Sequence, residues 1–145
     1  MSKSLEKVVS EAINILSRRE YTRWELGSKL LARNHPEYLV EKVLDEMEKA
    51  GYVDDREYAR RFQETRDEWG YRRLRDELAR RGIKRQVLDE TLVFDEDAEF
   101  RKALRLVRSW ETRLTEKQIV GRLMRRGFRE DIAKGLARKS CGETS

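Results

Sequence analysis

Between Gly70 and Arg85 the chain has seven basic residues (Arg72, Arg73, Arg75, Arg80, Arg81, Lys84 and Arg85) against two acids, a local charge of +5. From Arg101 to Lys139 thirteen basic residues face four acids, giving +9, with Arg122, Arg125, Arg126 and Arg129 among them. Guanidinium groups fork onto phosphate oxygens, and each phosphate neutralised releases counterions, so such stretches are candidates for holding a polyanion. The plainer alternative is a solvated helix face. Two features favour the polyanion: most of the cations are Arg, and Arg80-Arg81 precede Gly82 just as Arg125-Arg126 precede Gly127. Tyr71, beside Arg72 and Arg73, is a candidate for stacking on a base, whereas Trp24, Trp69 and Trp110 weigh more as packing between helices. The opposite charge lies at Glu37 to Glu57, with eight acids against three bases, or −5. Asp54, Asp55 and Glu57 are candidates there for contact with a basic partner, although Asp54 also reads as a helix cap.

Covalent and metal chemistry find little support. His35, the sole histidine, stands before Pro36 in a turn, and Cys141 is the sole cysteine. Neither has a second ligand or a base nearby in sequence. Asp54, Asp55 and Glu57 lack the spacing of a calcium loop, and the glycines sit singly rather than in a phosphate-cradling run. We expect no catalytic residue, no metal and no cofactor. No apolar run approaches the ~20 residues of a membrane span, and the amphipathic N-terminus lacks the apolar stretch of a signal peptide. A cytoplasmic monomer without disulfides is expected.

The elements that must carry these side chains recur three times. Leu74, Leu78, Gly82-Ile83 and Val87 match Ile119, Leu123, Gly127-Phe128 and Ile132 at identical spacing. The first copy offers Leu26 and Leu30, then Asn34-His35 in place of Gly plus an apolar residue, and resumes at Leu39-Val40. Offsets of 48 and 45 residues predict a helical array. Each copy reads as three short helices, from apolar residues three and four apart. Leu5, Val8, Val9, Ala12, Ile13 and Leu16 form the opening stripe. Thr22 with Glu25, Asp54 with Glu57 and Thr115 with Gln118 are start signals. Pro36 suits a first helical turn, and Gly51 a left-handed stop. The expectation is an all-α chain of three tandem three-helix repeats, 1–52, 53–93 and 94–139, with a flexible tail from 140 to 145. Each repeat is near the lower size limit for independent folding, so neighbours should share contacts.

Gly51-Tyr52-Val53-Asp54-Asp55 followed by Glu57-Tyr58-Ala59-Arg60-Arg61-Phe62 resembles the RecX family of bacterial recombination regulators. Gly70-Tyr71-Arg72-Arg73-Leu74-Arg75-Asp76-Glu77-Leu78 and Arg81-Gly82-Ile83 are similar to that family's middle repeat, and Tyr21-Thr22-Arg23-Trp24-Glu25-Leu26 to the start of its first. The likeness extends from about residue 8 to 137; the third repeat matches by spacing more than by motif. The resemblance implies a non-enzymatic modulator of the RecA recombinase, elongated and curved, lying in the groove of the RecA–DNA filament and limiting its extension, ATPase and strand exchange. On that reading the basic clusters touch single- or double-stranded DNA without regard to sequence, or acidic protein surface, and the acidic segment meets the recombinase or repels DNA. Two other classes stand beside it. One is a direct DNA-binding helical repeat protein with no recombinase partner, against which the scarcity of base-reading Asn and Gln at helix starts argues. The other is a protein-binding scaffold indifferent to nucleic acid.

Overall fold

The computed structural model describes residues 3–110 and 113–142, which form nine α-helices and no strand. They are α1 (Lys3–Leu16), α2 (Arg23–Ala32), α3 (Glu37–Lys49), α4 (Asp55–Glu64), α5 (Tyr71–Arg80), α6 (Arg85–Thr91), α7 (Glu96–Ser109), α8 (Glu116–Arg125) and α9 (Glu130–Gly142). The chain is all-α, as its periodicity requires. It divides into two compact units, Met1–Arg60 with Leu78–Thr91, and Arg61–Glu77 with Leu92–Ser145. Two of the three boundaries fall inside α4 and α5, and the third follows the end of α6.

Local chemistry explains several of the helix starts. Thr22 accepts from the Glu25 amide at 3.1 Å while Glu25 Oε1 accepts from the Thr22 amide at 3.0 Å, closing a capping box on α2. Thr115 and Gln118 repeat it on α8 at 3.2 and 2.9 Å. Each box satisfies two amides that a helix start leaves without intrahelical partners. Asp54 Oδ1 accepts from the Glu57 amide at 3.1 Å and so caps α4. Pro36 stands one position earlier than expected, as the extended residue before α3.

In the first unit Val8, Ala12 and Ile15 of α1 pack with Leu26 and Leu30 of α2 and with Leu39, Val40, Val43, Leu44 and Met47 of α3. The inward stripe of α1 therefore passes through Ile15, while Ile13 is exposed. Positions 8, 12 and 15 keep helical spacing, and position 13 is turned about 100° from 12. The second unit buries Ala103 and Leu106 of α7, Ile119 and Leu123 of α8, Phe128, and Ile132, Ala133, Leu136 and Ala137 of α9. Helix α9 continues to Gly142, beyond the expected tail boundary at 140, because Cys141 is partly buried against this core. The rest of that tail, 143–145, lies outside the described residues.

The Asn34-His35 departure from the repeat pattern preserves its backbone geometry. Asn34 has φ 66°, close to Gly82 at 85°, which lies 48 positions later. Asparagine is the side chain that best tolerates this left-handed turn. His35, in the place of the buried Ile83, is half-buried and pairs with the Glu11 carboxylate.

Candidate partner and nucleic-acid interface

The basic clusters are built around a joint that occurs once in each unit. In the first unit the amide of Arg23, opening α2, donates to Asp55 Oδ1 at 3.0 Å, and the Thr22 hydroxyl donates to the Arg81 carbonyl at 2.6 Å. Gly82 lies against the Trp24 side chain so closely that a Cβ would collide with it. In the second unit the amide of Tyr71, opening α5, donates to Glu99 Oε1 at 2.7 Å, and the Gly70 amide donates to the Arg126 carbonyl at 2.6 Å. Gly127 lies against the Arg73 backbone and Cβ. Thr22 and Gly70, like Arg23 and Tyr71, are 48 residues apart; Arg81 and Arg126, like Gly82 and Gly127, are 45 apart. In both places a carboxylate from one helix start satisfies the first amide of another helix, and a turn closes over it.

This joint explains part of the arginine register. Arg81 is half-buried, with its guanidinium on the Tyr58 hydroxyl and its carbonyl on Thr22. Arg126 is likewise half-buried, bonding Glu68 at 2.8 Å and standing 6.0 Å from the Trp110 ring. The second arginine of each pair thus has a packing role, while Arg80 and Arg125 before them are exposed.

The remaining candidates divide between the units. Lys84 and Arg85 are exposed in the first unit, with Arg85 loosely paired to Asp89 at 4.0 Å. In the second unit Arg72 is exposed, Arg73 covers Trp69 at 3.8 Å, and Arg122 stands 5.3 Å from Trp110. Arg129 is engaged by Asp131 at 2.7 Å, with Glu96 at 3.7 Å. Tyr71 is half-buried, edge-on to Phe94 at 5.4 Å, and its hydroxyl accepts from Arg75 at 3.2 Å. Its ring serves packing in this conformation. Among the four candidate rings Trp24 is the exposed one, 57% accessible. Its position two residues before inward-facing Leu26 turns it some 200° away from the core, a signal the helical period carries.

The acids show the same division of labour. Asp54 is a cap, Glu57 is half-exposed with Arg60 at 3.8 Å, and Asp55 is half-buried. Burial pushes the Asp55 carboxyl above the usual range, against the lowering effect of the Arg23 amide. Burial raises Glu99 in the same way, against the Tyr71 amide and nearby Lys102. Lys102 is itself lowered by burial, and its Nζ donates to the Trp69 carbonyl at 2.7 Å.

A carboxyl raised in the folded state holds its proton more tightly there than in the unfolded chain. Its stabilising contribution is therefore complete below the ordinary glutamate value of 4.5 and is lost as pH rises through the folded value. Glu99→Gln should remove this slope while keeping an acceptor for Tyr71, so the urea midpoint of the variant should rise relative to that of the parent as pH rises from about 4 to neutrality. Glu99→Ala should lose roughly 1–3 kcal/mol, because a buried amide is left without its partner. Equal stability of the Gln and Ala variants would show that this hydrogen bond contributes nothing.

A sequence model described as RecX, first three-helix domain, matches residues 10–47. The regulatory protein RecX of Thermus thermophilus is 37% identical over 128 residues, covering 88% of this chain and 87% of that protein. The chain belongs to the RecX family. A mycobacterial RecX (Mycobacterium sp. strain JLS) is 32% identical over 143 residues, covering 88% and 78%. A crystal structure of RecX from Lactobacillus salivarius superposes with TM-score 0.81 at 19% identity, covering 96% of this chain and 97% of that one. A second RecX crystal structure gives 0.75 at 22% identity, with 92% and 72% covered. The structural likeness supports the helical fold; the sequence relatives carry the family, whose members are named regulatory proteins. Among the described residues of this RecX-family chain no helix is long and apolar enough to cross a membrane, and no group of three or more His, Cys, Asp or Glu residues is placed to hold a metal ion.

Proposed function

We propose that this protein is a non-enzymatic modulator of the RecA recombinase, chiefly an inhibitor, acting in the cytoplasm from the groove of the RecA–DNA filament. There it limits filament extension, ATP hydrolysis and strand exchange. Membership of a family of regulatory proteins carries this reading. It is supported by exposed cations in both units, Arg80, Lys84 and Arg85 in one and Arg72, Arg122 and Arg125 in the other. On this reading the three tandem repeats act as an array with these cations on phosphate or acidic protein surface, and with Arg81 and Arg126 holding the joints beneath them. Arg73 is exposed as well, over Trp69, while the half-buried Arg129 and Tyr71 shape the surface rather than form its outermost layer.

The test is the single-stranded-DNA-dependent ATPase of RecA, titrated with this protein beside a direct DNA-binding control. Inhibition at ratios too low to coat the DNA is expected. An effect only once DNA is saturated would replace this reading with plain nucleic-acid binding, and no effect on either RecA or DNA would leave a protein scaffold.

A further inference from the structure

Helix α2 carries two apolar stripes. Leu26 and Leu30 are fully buried, but Trp24 and Leu31, with Ser28 between them at helical spacing, form a second stripe that is 57% exposed at Trp24 and 45% at Leu31. Beside it α3 presents Glu37, Glu41, Asp45 and Glu48, also at helical spacing. The two stripes line a groove of about 560 Å³ in the first unit, with Asp55, Arg23, Gly82 and Lys84 also on its wall. Five carboxylates against two cations leave this groove at −3 in a chain whose overall charge is +5.

We propose that this groove docks a basic amphipathic helix of a protein partner, one with an apolar stripe for Trp24 and Leu31 and arginines or lysines beside it for the α3 carboxylates. This gives the chemistry of the partner's docking segment and rests on the regulator reading only for the identity of that partner. Three observations select this occupant. The groove already holds a guanidinium: Arg23 bonds Glu41 at 2.8 Å, Asp45 at 2.9 Å and Glu48 at 2.8 Å. Those carboxylate side chains nevertheless remain 61%, 64% and 47% exposed, and each carboxylate has about four acceptor sites, so there is capacity for further cations. The exposed indole face adds attraction for a cation and a large apolar contact. The alternative use of Trp24, stacking on a base, would draw a phosphate backbone against the groove's net negative charge, which repels it. A half-exposed apolar stripe next to an acidic one is the complement of an amphipathic helix that reads apolar and basic on adjacent faces.

Ser28→Lys tests the groove without removing any contact: the position is exposed, lysine is a good helix former, and the new cation sits between Trp24 and Leu31. Trp24→Ala removes the anchor. The full chain is titrated by calorimetry with a synthetic helix-forming peptide bearing a leucine stripe flanked by arginines, with the same peptide carrying glutamates instead, and with a single-stranded oligonucleotide. The arginine peptide should bind saturably and the glutamate peptide should not, and each variant should weaken the arginine peptide by about tenfold or more. Oligonucleotide affinity should be unchanged by Leu31→Ala, which trims the stripe away from the Trp24–Gly82 contact. No binding of the arginine peptide, equal binding to Ser28→Lys, or loss of oligonucleotide binding in a folded Leu31→Ala protein would overturn the proposal. RecA ATPase is measured in parallel on the parent chain. Peptide binding without any RecA effect would sink the regulator reading and leave the groove standing, whereas RecA inhibition without peptide binding would do the reverse.

Discussion

Gly127→Ala should be among the most destabilising single methyl groups that can be added to this chain, costing roughly 2–4 kcal/mol, about a third of the stability of an ordinary domain. Two effects combine. Gly127 has φ 95°, where an L side chain is strained. The added Cβ would also strike the Arg73 Cβ, nitrogen and Cα. The neighbours cannot easily yield, because the Gly127 carbonyl accepts from the Arg72 amide at 3.1 Å and the next residue, Phe128, is completely buried. Two other glycines separate the contributions. Gly51 has φ 81° with open space around its would-be Cβ, so Gly51→Ala should show the backbone strain alone. Gly135 is helical in α9, also with open space, so alanine there should stabilise by about 0.5–1 kcal/mol. Thermal unfolding of the three variants should rank Gly135→Ala above the parent, Gly51→Ala below it and Gly127→Ala lowest. If Gly127→Ala fell no further than Gly51→Ala, the joint would have slack that its geometry denies.

What is legible in the sequence is local. The capping boxes at Thr22 and Thr115 and the cap at Asp54 need only residues three apart, and their chemistry is the same in any fold. The buried leucines at 26, 30, 74, 78 and 123 follow from helical spacing. The joints are hidden because their partners lie far apart: Asp55 caps an amide 32 positions earlier, and Glu99 one 28 positions earlier. No periodicity connects such pairs. Hence Arg81 and Arg126 are visible as a recurrence, but not the reason for half of it, which is that their carbonyls and guanidiniums secure the turn. Asn34 reads as a broken pattern by residue type, whereas its backbone conformation keeps the pattern intact. Trp24 is exposed, as its spacing from Leu26 makes readable, and Tyr71 is half-buried beside Phe94, which is not readable: a ring's proximity to arginine in sequence says little about whether Phe94 covers it.

The division between joint arginines and exposed ones gives the largest binding effect expected. Replacing Arg72, Arg80, Arg122 and Arg125 together by Glu should weaken affinity for a single-stranded oligonucleotide by roughly a hundredfold or more at low salt. The slope of log affinity against log salt should flatten by about three, near 0.7 for each phosphate no longer neutralised. All four are exposed, so the fold should survive. Arg81→Glu with Arg126→Glu should behave differently. It removes the bonds to Tyr58 and Glu68, places a carboxylate beside the Glu68 carboxylate, and should lower the unfolding midpoint while changing the salt slope little. The contrast matters because both variants delete arginines from the same two sequence motifs, and net charge alone predicts that the fourfold variant differs from the twofold one only in proportion. A slope change per residue that is equal in the two variants, with both folded, would mean that the guanidiniums at 81 and 126 leave their partners to meet phosphate. Unequal slopes would place the nucleic-acid surface on the exposed set of Arg72, Arg80, Arg122 and Arg125, with Arg81 and Arg126 acting through the backbone turns they hold.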